Sequence, residues 1–343
     1  MSPTDDQIRE LVRRFATLDM AGWDEAAFDR ALAHLGWRPP EASADEPRRR
    51  QRYPRLWNYE DYGRGCDGES HEEYDTGLGT ALGEVARHGS EVGSEISVPV
   101  GEGPEVFRRL RSALEEALGP PSFMRGPGPQ LRWRHPVRLL ELEHAGGYTS
   151  LRVSPTDAVD RAEHLWAEWG EPEYRLEQFG YWQMFGRGWE WAPGGHWADE
   201  WAQFEEMLAD TLHSVVRDFA LLDEPDRFTV VVCTPDDFRF VQWTTSEDRG
   251  LHLQARVPGG SGPGRQEAMA ELGWQPPDSR DLEGFVIRDF PAFGRQEATT
   301  AARMLVGALQ SYDVAFEDLW HEVISPDVEL IGIGLPARHG ARI

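Results

Sequence analysis

The chain's 343 residues exceed one ordinary domain, and a hydrophobic share of 40% with 14 Trp and 15 Phe is too apolar and aromatic for a disordered chain. A net charge of −25 opposes binding to phosphate backbones, and every residue in the Lys+Arg count is Arg, which removes a phosphate-loop lysine, a Schiff base and a Ser-Lys dyad. No apolar run approaches the roughly 20 residues that cross a bilayer, and residues 1–6 lack the basic and apolar regions of a signal peptide, so the expected setting is the cytoplasm, with neither nucleic acid nor membrane as partner.

Thr4-Asp5-Asp6 ahead of Ile8, Leu11, Val12 and Phe15 predicts a capped helix to about Thr17. A second helix starts at Asp24, buries Phe28, Leu32 and Leu35, and stops at Gly36. Residues 41–75 are polar and rich in Pro and Gly and read as a long loop with one short strand; within them Arg48-Arg49-Arg50-Gln51-Arg52 is a solvated run or a contact patch. Two strands, Leu78 to Arg87 and Val92 to Val100, form a hairpin, followed by a helix from Pro104 to Leu118. After the Gly126-Pro127-Gly128-Pro129 turn come strands at Leu131 to Arg134, Val137 to Glu143 and Tyr148 to Val153, then a helix from Thr156 to about Trp169.

Between Gly170 and Trp197 lie Tyr174, Phe179, Tyr181, Trp182, Phe185, Trp189, Trp191 and Trp197, which either pack a linker onto its neighbours or form an exposed aromatic patch. The second half opens with an amphipathic helix from Ala198 to Leu221. Short connections then join strands at Phe228 to Cys233, Phe238 to Thr244 and Gly250 to Val257 into an antiparallel meander. A helix from Gly264 to Leu272, a strand from Phe285 to Phe290, a helix from Arg295 to Tyr312, a short helix from Phe316 to His321 and a strand from Val328 to Ile333 complete the order. The expected fold class is α+β in two domains, each an antiparallel sheet packed against helices: residues 1–170, an aromatic and Gly-rich linker at 171–197, and residues 198–343.

No catalytic signature stands out. Gly259-Gly260-Ser261-Gly262-Pro263-Gly264 lacks Lys and contains Pro, so it reads as a flexible loop. His71-Glu72-Glu73 has no second His four residues after the first, and His196 has no Cys or His nearby. Asp236-Asp237 and Glu205-Glu206 read as solvated acids, and Ser94, Ser150 and Ser154 sit in no nucleophile elbow. Cys66 and Cys233 are far apart and read as free thiols. The chain is therefore read as non-enzymatic, with no catalytic residue, metal or cofactor expected; an enzyme with dispersed site residues is the alternative that a bound ligand would expose.

One segment recurs. Leu32-Ala33-His34-Leu35-Gly36-Trp37-Arg38-Pro39-Pro40 is echoed by Met269-Ala270-Glu271-Leu272-Gly273-Trp274-Gln275-Pro276-Pro277, a helix end, a Gly cap, a stapling Trp and a Pro-directed exit. Residues 198–323, carried by this echo, the Val241-Gln242-Trp243 strand, the Leu251-to-Val257 strand and the helix before Val314-Ala315-Phe316, resemble the TY-Chap family, chaperone-like domains related to type III secretion chaperones and YbjN. Residues 20–160, with Leu35-Gly36-Trp37, Thr76-Gly77-Leu78, Ala117 to Pro121 and Leu131 to Arg134, are similar to a bacterial family of unknown function and gain no activity from it. The first resemblance implies a secretion-chaperone-like or YbjN-like binding domain acting as chaperone or adaptor for a protein partner, such as a secreted effector or toxin. The acidity favours a basic partner. A toxin-immunity protein with an occluding acidic surface is the alternative, and a homodimer is compatible with the same surfaces. The candidate partner-binding residues are Phe240, Gln242, Trp243, His252 and Gln254 on the meander, of which alternation allows about half to face outward, together with Trp189 and Trp191.

Overall fold

Thr4 opens α1 (Asp5–Ala16) with a reciprocal cap: its hydroxyl accepts from the Gln7 amide, and the Gln7 side chain accepts from the Thr4 amide. Asp24 caps α2 (Glu25–Leu35) in the same sense, accepting from the Ala27 amide at 2.8 Å. The computed structural model describes residues 3–39, 70–78, 82–87, 94–169, 176, 179–186, 197–224, 229–234, 239–246, 250–257, 263–276, 284–325 and 327–338. The chain divides into two units, residues 1–178 with 185–191 and residues 179–184 with 192–343.

The first unit holds β1 (Ser70–Asp75), β2 (Leu82–Arg87), β3 (Glu95–Glu102), α3 (Pro104–Leu118), β4 (Phe123–Gly126), β5 (Gln130–Arg134), β6 (Leu139–Ala145), β7 (Tyr148–Ser154) and α4 (Thr156–Trp169). Its strands run β1-β2-β3-β7-β6-β5-β4. All neighbours are antiparallel, as the hairpin-length connections dictate. Strand alternation turns Ile96, Val98 and Val100 of β3 into the core, where α3 lays Val106, Phe107, Leu110 and Leu114 across β3 and β6. α1 packs in turn on α3 through Ile8, Leu11, Val12 and Phe15. The segment His71-Glu72-Glu73 lies in β1, not on a helix.

The second unit holds β8 (Trp182–Phe185, through Met184), α5 (Trp201–Leu221), β9 (Thr229–Cys233), β10 (Phe240–Ser246), β11 (Gly250–Arg256), α6 (Pro263–Glu271), β12 (Phe285–Phe290), α7 (Arg295–Gln310), a 3-10 turn at Phe316–Asp318, β13 (Trp320–Ile324) and β14 (Val328–Glu329). The meander expectation is met by an antiparallel five-stranded sheet in the order β12-β11-β10-β9-β13. α7 packs on β10 and β11 with a small-residue face, Ala298, Ala301, Ala302, Leu305 and Leu309, and α5 packs on α7. Helices therefore sit on one face of this sheet within the unit. Two expectations fail here. The helix expected from Phe316 to His321 is only the 3-10 turn, and His321 belongs to β13, because Val230 and Val232 of β9 offer an apolar edge that outweighs local propensity. The strand expected from Val328 to Ile333 shrinks to two residues paired with Met184 and Gln183.

The recurring segment has one structure in both copies. Gly36 (φ 71°) and Gly273 (φ 95°) take the left-handed conformation, and the amides of Trp37 and Trp274 reach back to the carbonyls of Leu32 and Met269, each at 3.1 Å. Both indoles are buried, and the next residue of each copy bridges the outermost strand of its unit's sheet: Arg38 to Asp75 of β1, and Gln275 to Ile287 of β12. The Trp37 ring lies so close over Gly83 that a Cβ there would stand 2.4 Å from it.

Candidate functional site

Strand parity decides which candidates share a surface. On β10, Val241, Trp243 and Thr245 point to the helices, while Phe240, Gln242 and Thr244 point away. On β11, Leu251, Leu253 and Ala255 point inward, and His252, Gln254 and Arg256 point away. Phe240, Gln242, His252 and Gln254 are thus brought together on the outer face. Trp243 is not: with 1% exposure it is part of the core, because it shares the parity of Val241. Trp189 and Trp191 lie outside the described residues.

Register lines these side chains into a directed relay. Gln242 pairs with Gln254 across β10 and β11, and His252 pairs with Asp289 of β12. The Gln242 amide donates to Gln254 Oε1, and the Gln254 amide lies 2.8 Å from His252 Nε2. An amide nitrogen can only donate, so His252 Nε2 accepts and its proton sits on Nδ1, which donates to Asp289 Oδ1 at 2.5 Å. A His–Asp pair supplies two of the three members of a hydrolytic triad, but Nε2 is occupied by Gln254, and the hydroxyl in register with His252, Thr244, is engaged with Thr229 Oγ1 at 2.5 Å. The arrangement orients hydrogen-bonding groups and does not activate a nucleophile. Beside it runs an apolar row: Phe240 meets Phe285 edge-on with centroids 5.9 Å apart, and pairs with Cys233, which pairs with Trp320. Cys233 is a buried free thiol, and Cys66 lies outside the described residues. Trp320 carries Arg338 stacked 4.5 Å from its ring centroid.

The first unit holds a second polar constellation, which the sequence reading left unremarked. On the sheet face opposite α3, Arg152, Glu141 and Arg132 stand in register across β7, β6 and β5. Arg132 Nε binds Glu141 Oε1 at 2.8 Å, Arg152 Nε binds Glu141 Oε2 at 3.0 Å, and Glu163 of α4 takes Arg132 at 2.7 Å and Arg125 at 3.2 Å. Arg125, Arg132, Glu141 and Glu163 are all buried. Burial alone would raise the Glu141 carboxyl, but Arg152, Arg132 and Arg125 together hold it down to about 2. Burial, with the neighbouring charge of Arg132, brings Arg125 down to about 9. Every member of this core is ion-paired, so the cluster seals α4 to the sheet. Its signal was present in the alternation Leu131-Arg132-Trp133-Arg134 and Leu140-Glu141-Leu142-Glu143, which reads as a half-solvated strand pair until α4 supplies Glu163.

Among the described residues no group of three or more His, Cys, Asp or Glu side chains could hold a metal ion. None of the described helices is long and apolar enough to cross a membrane.

The second unit is thus an α+β domain, an antiparallel sheet backed by helices. Residues 194–328 match the family model TY-Chap3, described as a T3SS (YopN, CesT) and YbjN peptide-binding chaperone, so the C-terminal region carries a TY-Chap domain. The match takes in α5, the meander, the Leu-Gly-Trp cap of α6, β12, α7 and β13, and does not extend into residues 1–193. Comparison with curated proteins and with solved structures gives no match.

Proposed function

We propose that this protein is a non-catalytic, cytoplasmic chaperone or adaptor that holds an extended segment of a protein partner on the outer face of the second unit's sheet. The observation that carries the reading is the coincidence of the peptide-binding family match with a sheet face, free of helices among the described residues, on which half-buried Phe240, Gln242 and Gln254 adjoin the buried His252. Amide side chains aligned along a strand pair suit the donor and acceptor pattern of an extended backbone, and the neighbouring Phe240 and Phe285 rings supply apolar anchorage. With a net charge of −25, the favoured partner is basic; the family description supports a peptide partner linked to type III secretion, and a secreted effector or toxin is the class proposed.

The test is a peptide array of unstructured basic and acidic segments probed with the full chain and with the double variant Gln242→Ala, Gln254→Ala. The expected result is retention of basic extended peptides, weakened about tenfold in the variant, equivalent to roughly 1.4 kcal/mol. Retention of a folded toxin but of no short peptide would overturn this reading in favour of an immunity protein.

A further inference from the structure

The outer edge of β13 already carries an extended peptide, and that peptide is the chain's own. Pro336 to Arg338 lies alongside β13 in parallel: the His321 amide donates to Pro336 O at 2.9 Å, and the Arg338 amide donates to His321 O at 2.8 Å. Alternation places Arg338 on the same sheet face as Trp320 and Glu322, which is how its guanidinium comes to stack on the Trp320 ring. This face is continuous with the candidate site, through the register Phe240, Cys233, Trp320. The ladder then stops. Val323 shares the parity of His321, so its amide and carbonyl also point away from β9, and neither has a partner among the described residues. Next to it, Ile324 is 61% exposed, the most exposed of the large apolar side chains described. Glu317, Asp318 and Glu322 are exposed close by in sequence.

The opposite edge of the sheet differs. Gln275 bridges β12 from a position fixed between α6 and β12 themselves, whereas Pro336 to Arg338 leads into no further helix or strand among the described residues. The β12 edge is thus bridged by a residue held between two elements of the unit, and the β13 edge by residues 336–338, which hold it through two backbone hydrogen bonds to His321.

We propose that the edge of β13 is where the extended partner adds as a parallel strand, placing an Arg or Lys on Trp320, and that residues 336–338 occupy this edge as a built-in competitor. The proposal rests on the peptide-binding reading above and names the edge, the strand direction and the basic residue that such a peptide needs. The tail supplies the template: two backbone hydrogen bonds to His321 and a cation over an indole, in an acidic neighbourhood that disfavours an acidic peptide.

The test measures the binding of a fluorescent synthetic peptide with the sequence of residues 335–343 to three proteins: the full chain, the full chain with Arg338→Glu, and a chain ending at Leu335. The last keeps the buried Leu335 side chain. The expected result is at least tenfold tighter binding by the shortened chain than by the full chain, an intermediate gain for Arg338→Glu, and loss of the gain when Trp320→Ala is added or when the peptide carries Arg338→Glu. Equal affinity for the full chain and a folded shortened chain, or indifference to Trp320→Ala, overturns the proposal. Should the shortened chain fail to fold, Arg338→Glu in the full chain decides, and an unchanged affinity overturns it. Peptides recovered from the array complete the separation. Competition with the tail peptide supports the edge, binding without competition overturns the edge while leaving the peptide-binding reading intact, and no binding by any chain overturns both.

Discussion

The two units present polar sheet faces built by the same alternation and put to opposite use. In the first, Arg125, Arg132, Glu141 and Glu163 are buried under α4 and neutralise one another, so the face is closed. In the second, the outer face carries two amides, an imidazole paired with the Asp289 carboxylate, Arg256 and aromatic rings, and among the described residues no helix is seen packed on it. Charge that is fully paired inside a protein fixes an element in place; polar groups on a half-open face are bonded to one another but stay within reach of solvent. Polar residues on a strand therefore indicate function only when the covering element is known.

The sharpest way to break this contrast is Glu163→Ala. It would leave Arg125 and Arg132 short of their shared carboxylate and should cost the first unit roughly 3–5 kcal/mol, read by urea unfolding, while peptide binding by the second unit is unchanged in native buffer. An unchanged unfolding midpoint would show that the cluster is not the seal described.

Acid should then separate the units. Burial pushes the His321 imidazole down to about 4, opposed by the Leu335 and Pro336 carbonyls. A histidine with a depressed folded pKa contributes stability that is complete above about 6.5 and is lost as pH falls through 4, so the second unit should lose roughly 3 kcal/mol across that window. Glu141, held down to about 2, keeps its contribution until the pH falls below about 4.5, and Glu143, pushed up by burial, titrates in the opposite sense and offsets part of the loss. Unfolding followed at pH 7, 5 and 3 should show the second unit weakening first, and simultaneous weakening of both would contradict the assignment.

Smaller effects test the open face. Gln254→Leu removes the centre of the relay and should cost about 1 kcal/mol of stability, because a neutral hydrogen bond is exchanged for apolar volume. Gln242→Ala, at the head of the relay, should shift stability by no more than about 0.5 kcal/mol while weakening peptide retention. Thermal melts beside array binding separate the two readouts, and a large loss of stability in either variant would make this face structural.

What the sequence revealed followed from local signals. The caps at Thr4 and Asp24, the Gly36 and Gly273 stops and the meander of β9, β10 and β11 were all legible, because each depends on residues a few positions apart. β4, β8 and β13 were not. Phe123–Gly126 and Trp182–Phe185 are four residues long, and β13 exists because β9, roughly ninety positions earlier, provides its partner. The candidate site was legible as a set of strands but not as a face. Trp243 differs from Gln242 only in parity, and the His252–Asp289 contact required β12 to fall beside β11.

The bridges made by Arg38 and Gln275 have a further consequence. Each supplies one residue's pair of backbone hydrogen bonds to an end strand, enough to occupy part of the rim and too little to propagate a ladder. A sheet with an unguarded rim can be extended by the sheet of another molecule, and that is how polymers begin. The same short segment, used twice, makes those two ends poor seeds for cross-molecular growth.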